Sequence, residues 1–364
     1  MASFWAAFCG PPKPTAVPGA TASGRPLQEW AAVEAGLQST DANQRADAIL
    51  AAMEFQYRQA GPRLLQLAQE DEAANVRQTA AIALGQFQVK GAGPILTHLL
   101  QNDKAVQAEY IMEAAARLED KRVAPAIVPY LKSDLNNTRL IAMQTLVSLN
   151  ATSQGPAILK LAQGLSDPDQ SRAAVMALGK LKVQRAAPWL RQLAQTTAPG
   201  PNRAAVYLAL GRIADKASAP LLIEGLALEE PRLRENAGKA LILIQDHASL
   251  SAIFPLLESD NPEIAYNAAA VLSEISDPKT RQQVLRLLNQ GPPQSIGPAA
   301  LVAGRLKISA SRLPIEKRLA DKKSPDREQL AQALGWLQEK ASLPLLIQVL
   351  QEAEGTGRLG AAWS

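Results

Sequence analysis

Proline recurs at a nearly constant interval through most of this 364-residue chain: Pro62, Pro94, Pro125, Pro156, Pro188 and Pro220 are separated by 32, 31, 31, 32 and 32 residues, and Pro314 and Pro344 by 30. A single globular core gives no reason for a helix-breaking residue to return on such a schedule, whereas a stack of short supersecondary units does. Proline lacks an N–H and its fixed φ matches the first helical position, so each mark predicts the start of a helix. Residues 202–228, NRAAVYLALGRIADKASAPLLIEGLAL, show the whole unit. A first helix is predicted over about 203–213, then a turn over 215–219, then a second helix opened by Pro220. Two marks are missing, near Ser251 and Gln282, where LSAIFPLL and RQQVLRLL keep the apolar pattern, so the count is ten units.

A second ladder sets the same register. Arg45, Arg77, Arg139, Arg172, Arg203, Arg234 and Arg327 recur near the starts of the first helices at multiples of the same period. Ala-Leu-Gly follows several of them, at Gly85, Gly179, Gly211 and Gly335. Glycine inside a helix costs about 1 kcal/mol against alanine, and close helix contact is the expected compensation. Capping residues precede the first helices at Thr40-Asp41, Asn102-Asp103, Ser133-Asp134, Ser166-Asp167, Ser259-Asp260 and Ser324, with Asp71 and Glu229-Glu230 in comparable places.

The first helix of each unit has apolar or small residues around most of its surface, so it must be covered by neighbours. Aromatics are only 4% of the chain and alanine is abundant, which suits helices packed closely through small side chains. No alternating run of β-branched residues is long enough to predict a strand. The expected fold is all-α, a right-handed α-solenoid of about ten two-helix repeats with a period of about 31 residues.

Residues 1–26 hold a Pro/Gly-rich stretch that predicts a disordered tether, and residues 27–364 a single solenoid whose first helix begins near Leu27. The array is expected to be irregular near 290–323, where QGPPQSIGP interrupts a helix start, the following helix over 299–308 is short, and the superhelix bends or loosens. Arg358, 31 residues after Arg327, predicts an eleventh first helix that the sequence leaves part-way through. Such an end is expected of a fragment, a truncated product, or a chain whose last repeat is covered by a partner.

The segments Asn75-Val76-Arg77-Gln78-Thr79-Ala80-Ala81-Ile82-Ala83-Leu84-Gly85 and 202–211, with the acidic turn at Asp215 and the Ala219-Pro220-Leu221-Leu222 start, resemble HEAT repeats of the short bacterial kind first associated with phycobilisome (bilin) lyases. The resemblance runs from about residue 28 to the end. It implies architecture, because the same repeat serves many roles. Cys9-Gly10, ahead of its Pro/Gly-rich stretch, resembles the mature start of a bacterial lipoprotein, which makes Cys9 a lipidation candidate. A cytoplasmic location is expected, with a cell-envelope lipoprotein as the alternative; membrane contact requires that modification.

Few residues invite chemistry. With Cys9 the sole cysteine, no disulfide or cysteine metal cluster can form within the chain. His98 and His247 lie about five units apart, so no metal site and no catalytic pair is expected. Neither a phosphate-binding glycine loop nor a nucleophile elbow is present. The arginine ladder is read as structural, each guanidinium pairing with an acidic residue or helix end of the adjacent unit. Trp189 and Trp336 are read as packing residues.

Net charge is +4 over the whole chain, too mild to indicate a nucleic acid or membrane partner. It is concentrated in residues 305–323, where Arg305, Lys307, Arg312, Lys317, Arg318, Lys322 and Lys323 face only Glu316 and Asp321, a net +5 in 19 residues. These seven are the partner-binding candidates, and the expected partner is a protein with an acidic contact surface. The leading expectation is a non-catalytic interaction scaffold or assembly factor without a cofactor. The resemblance implies, as the alternative, a bilin lyase or chaperone-like lyase subunit that would hold an open-chain tetrapyrrole for attachment to a phycobiliprotein. The third reading is a HEAT-like DNA-binding repair protein.

Overall fold

The computed structural model describes residues 29–275 and 277–352. The tether, Cys9, Leu27 and the eleventh helix lie outside these residues. The chain divides into two compact units, residues 1–157 and 158–364, and the division falls within one helix. Among the described residues there is no strand.

In the first unit, α1 (Trp30–Leu37), α2 (Ala42–Glu54), α3 (Gly61–Glu70), α4 (Ala74–Phe87), α5 (Ala92–Asn102), α6 (Ala108–Leu118), α7 (Ala124–Ile127) and α8 (Asn136–Ser148) follow one another, and α9 (Gly155–Gly164) holds the division. First helices pack on first helices, α2 on α4, α4 on α6 and α6 on α8. Each second helix packs against the first helix that follows it: α3 on α4, α5 on α6, α7 on α8. Helix α1 packs on α2 in the same way and so takes a second helix's place.

The second unit continues with α10 (Pro168–Lys180), α11 (Ala187–Thr196), α12 (Pro201–Ile213), α13 (Ala219–Leu226), α14 (Pro231–Ile244), α15 (Pro262–Glu274), α16 (Pro278–Gln290), α17 (Pro293–Arg305), α18 (Arg312–Leu319), α19 (Arg327–Leu337) and α20 (Leu343–Glu352). Its first helices α10, α12, α14, α15, α17 and α19 form one packed row. Second helices α11, α13, α16 and α18 lie against α12, α14, α17 and α19.

The row of first helices is close because glycine permits it. A Cβ added at Gly85 would stand 2.5 Å from the Ala114 carbonyl oxygen, and in the second unit Gly179, Gly211 and Gly304 would meet Ala209, Ala240 and Ala333 backbone atoms at 2.7, 2.5 and 2.7 Å. These contacts are shorter than any real Cβ contact, so the helix propensity lost at each glycine is exchanged for dispersion contact between backbones.

Every first helix except α15, which is capped by Ile275 at φ −117°, ends in the same turn. Gln56, Gln88, Glu119, Asn150, Lys182, Ala214, Gln245, Lys307 and Gln338 all take positive φ, between 48 and 60°. This left-handed residue reverses the chain after the first helix and releases the last carbonyls to N–H groups of the turn. In most units a short 3₁₀ turn follows, such as Lys216–Ser218 or Lys340–Ser342, and proline then sits in the first turn of the second helix. The serines that close these turns are fully buried at Ser218, Ser311 and Ser342, and the hydroxyls of Ser218 and Ser311 donate to the Asp215 and Ile308 carbonyls.

Four details differ from the sequence expectation. The unit around Ser251 has no continuous second helix; two 3₁₀ segments, His247–Ala252 and Phe254–Glu258, replace it. Pro255 is the cause, since it lies inside the element, where it removes an N–H and crowds the preceding turn. Pro129 does the same in AIVPYLK, cutting α7 to four residues ahead of a 3₁₀ segment, Val128–Lys132. Next, α16 starts at Pro278, four residues before the expected mark, because the Asp277 carboxylate accepts from the Thr280 N–H and caps it there.

Third, α17 is a full helix of 13 residues and begins well before residue 299. Pro292 and Pro293 occupy positions that need no N–H, so only Pro298 lies inside the helix, and it forfeits one hydrogen bond. The expected loosening does not occur between α17 and α19, which approach through Gly304 and Ala333. Finally, capping falls on Asp41, Asp167 and Glu230 as the sequence suggests, but on Asn261 where Asp260 was expected. Asp71 and Asp103 bond loop N–H groups of Ala73 and Ala105 ahead of their helices, and the caps of α4 and α6 accept no such bond.

Candidate functional site

The ladder arginines lie at the starts of first helices, and four of them, Arg45, Arg77, Arg139 and Arg234, turn their guanidiniums onto backbone. Arg45 Nη1 donates to the Ser39 and Thr40 carbonyls at 2.9 and 3.0 Å, and Arg77 Nη1 to those of Asp71 and Glu72 at 2.6 and 3.0 Å. Arg139 reaches the Ser133 carbonyl, and Arg234 those of Leu228 and Glu229. The other edge of the fork crosses to the next repeat. Arg45 pairs with Asp71 at 2.7 Å, Arg77 with Asp103 at 2.6 Å, and Arg234 with Glu263. Arg172 bonds Asn202 at 3.1 Å, and Arg327 reaches Glu352 at 3.4 Å. Arg203 instead lies over the Tyr207 ring, 5.8 Å from its centroid.

These bonds shape the local electrostatics. The hydrogen bond from Arg77 holds the Asp103 carboxyl below its ordinary value against the opposing effect of burial. At Asp71 burial is the largest influence and pushes upward, yet the bonds from Arg45 and the Ala73 N–H outweigh it and the net shift is down. Hydrogen bonds from Gln348 and Lys322 hold the Glu352 carboxyl at about 2.

The seven basic candidates separate into two groups. Five are engaged within the chain. The Arg305 guanidinium stacks 4.1 Å above the Trp336 ring, Lys307 bonds Gln338, and Arg312 grips Glu316 through both carboxylate oxygens. Arg318 Nε donates to the Leu288 carbonyl at the end of α16, and Lys322 pairs with Glu352. Lys317 and Lys323 are exposed and have no ion-pair partner among the described residues.

Lys317, Arg318 and Lys323 share a cleft of about 440 Å³ among α16, α17 and α18 with Asp321 and Asp326. Asp326 is packed against the Gly297 backbone, where a Cβ would come within 2.7 Å of its carboxylate, and burial raises its pKa. Large apolar side chains stand exposed on the second helices nearby: Leu313 on α18 and Leu343 and Ile347 on α20 are 62, 50 and 53% accessible. The charge count of residues 305–323 does not show this division, because half of a basic run can be spent on helix ends and aromatic faces.

A larger cleft of about 910 Å³ lies between the 247–258 segments and α16, and the sequence reading did not single it out. The legible signal was α16 itself, PKTRQQVLRLLNQ, with three cations and no acid. His247 lines this cleft, while His98 Nδ1 is 3.2 Å from the Asn102 amide. Trp189 and Trp336 are both partly buried. Among the described residues no cluster of His, Cys, Asp or Glu is placed to hold a metal ion, and no helix is long and apolar enough to cross a membrane.

Helix pairs repeated at a constant period, joined by left-handed turns and packed in rows, define an all-α repeat protein. The sequence matches HEAT repeats over residues 31–108, 155–234 and 219–303, more than half of its length, and the PBS lyase HEAT-like repeat over 326–352. The chain belongs to the HEAT-repeat family. No curated protein matches it.

Among solved structures, Kap121p bound to Ste12p is 14% identical with a TM-score of 0.53, over 91% of this chain and 44% of that one. Importin beta is 14% identical with a TM-score of 0.51, over 91% of this chain and 56% of that one. These likenesses concern the fold, and the chain spans about half the length of either protein. The complex of CpcE and CpcF of phycocyanin lyase from Nostoc sp. PCC7120 is 21% identical over 64% of this chain and 94% of that one, with a TM-score of 0.37.

Proposed function

We propose that this protein is a non-catalytic interaction scaffold or assembly factor that binds an acidic protein surface through the second helices near its C-terminal end. The observation that carries the reading is the company of Lys317 and Lys323, which have no ion-pair partner among the described residues, with the exposed Leu313 on α18. Apolar anchors beside free cations suit a protein partner, where the apolar groups supply affinity and the charges orient the encounter. The neighbour Kap121p, bound to Ste12p, is itself found with a protein partner, which supports a partner of this class. Affinity capture from source-cell lysate treated with nuclease tests it. A specific acidic protein should be retained by the unmodified chain and lost from L313S/K317Q/K323Q; identical capture by both contradicts the proposal.

The match to the PBS lyase HEAT-like repeat favours one second reading, a bilin lyase or lyase subunit. Visible absorbance that co-purifies with the chain, and transfers to a phycobiliprotein cysteine, is its test.

A further inference from the structure

We propose that the cleft between the 247–258 segments and α16 is a second docking groove, which takes an extended acidic peptide segment. The proposal rests on the reading of the array as a protein-binding scaffold but uses a separate surface. The groove exists because Pro255 replaces a helix by two 3₁₀ segments, leaving about 910 Å³ beside α16. Leu250, Phe254 and Leu287 give it apolar lining.

Its two rims are in repeat register. His247 and Lys279, Ser251 and Gln283, Phe254 and Arg286, and Glu258 and Gln290 are each 32 residues apart, one period, and all eight line the cleft. Residues one period apart fall on neighbouring elements of a stacked array. The α16 side of the groove therefore presents Lys279 and Arg286, with the carboxylates Asp277 at the start of α16 and Glu258 on the opposite side. Lys279, Gln283 and Arg286 are exposed, and neither cation has an ion-pair partner among the described residues. Asp277 is already committed to the Thr280 N–H, while Thr280 Oγ1 is buried in the lining without a partner.

This charge pattern selects the occupant. Lys279 and Arg286 are seven residues apart on one helix, a rise of roughly 10 Å. In a polyproline-II-like segment, carboxylates three residues apart fall on one face at a spacing of roughly 9 Å. They meet the two cations, an apolar residue between them enters the Phe254 floor, and Gln283 bonds the intervening main chain.

The test uses the full chain and a terminally blocked, fluorescein-labelled peptide, Glu-Leu-Pro-Glu-Ala, read by anisotropy. K279Q/R286Q should weaken binding about tenfold or more, as expected for two desolvated charge contacts, with an unchanged thermal midpoint. E258Q should bind the peptide more tightly, since it removes one of the two carboxylates that line the cleft, the other being Asp277 at the start of α16. L313S/K317Q/K323Q should bind it as well as the unmodified chain. Peptide affinity unaffected by K279Q/R286Q overturns the groove, as does a preference for an equal charge of single-stranded DNA or phosphatidylserine vesicles over the peptide. Neither result touches the lysate capture on the α18 surface, so the two proposals fail independently.

Discussion

At Gly211 the balance between helix propensity and packing can be weighed directly. Alanine is the better helix former by about 1 kcal/mol, yet its Cβ would stand 2.5 Å from Ala240 Cα, backbone that cannot rotate aside. Overpacking of this kind costs about 1–3 kcal/mol, so Gly211→Ala should lower the urea midpoint. Gly164→Ala, with open space around the new methyl, should leave it unchanged or slightly raised. The Arg77–Asp103 pair belongs to the same scale. Both side chains are 16% exposed, and Arg77→Ala strands two loop carbonyls as well as the carboxylate, a loss of about 2–3 kcal/mol. Because Arg77 depresses the folded pKa of Asp103, the pair's contribution is full above the unfolded carboxylate value and fades as pH falls through the folded one. The stability gap between the unmodified chain and D103N, read by urea titration, should therefore shrink below about pH 4.

Elements were legible where a residue type had one structural use. Proline at a helix start and arginine at the head of the first helix placed the register of most helices, and Ala-Leu-Gly marked three of the tightest contacts. Gly304 escaped because Val302-Ala303-Gly304 lacks the leucine, although it meets Ala333 in the same way. The left-handed ladder was invisible for a different reason: its nine positions hold Gln, Glu, Asn, Lys and Ala, so the shared conformation is imposed by the turn and not by glycine. Pro255 and Pro298 show that proline alone is ambiguous, since one breaks its element and the other is carried within a buried helix. Pro255→Ala should let the 247–258 segments join, raising the helical signal at 222 nm by about a turn or two and narrowing the groove beside α16. An unchanged spectrum would show that the break has another cause.

Across the molecule, the repeat separates two tasks. First helices, their glycine contacts and their arginines hold the stack, while Leu313 and Lys317 on α18 and Lys323 in the turn after it form an exposed patch. Of the basic segment, only this exposed remainder was illegible beforehand, because a sequence does not show which cations already have partners. The separation also makes the binding surface tolerant of change, as substitutions at Lys317 or Lys323 remove no side-chain bond among the described residues. One measurement tests this division most directly: affinity for the captured partner, with the thermal midpoint recorded beside it, for R77A and for L313S/K317Q/K323Q. The account predicts that R77A lowers the midpoint and keeps the affinity, while the surface variant keeps the midpoint and loses the affinity. The reverse pattern, with binding lost at the ladder and retained at α18, would contradict it.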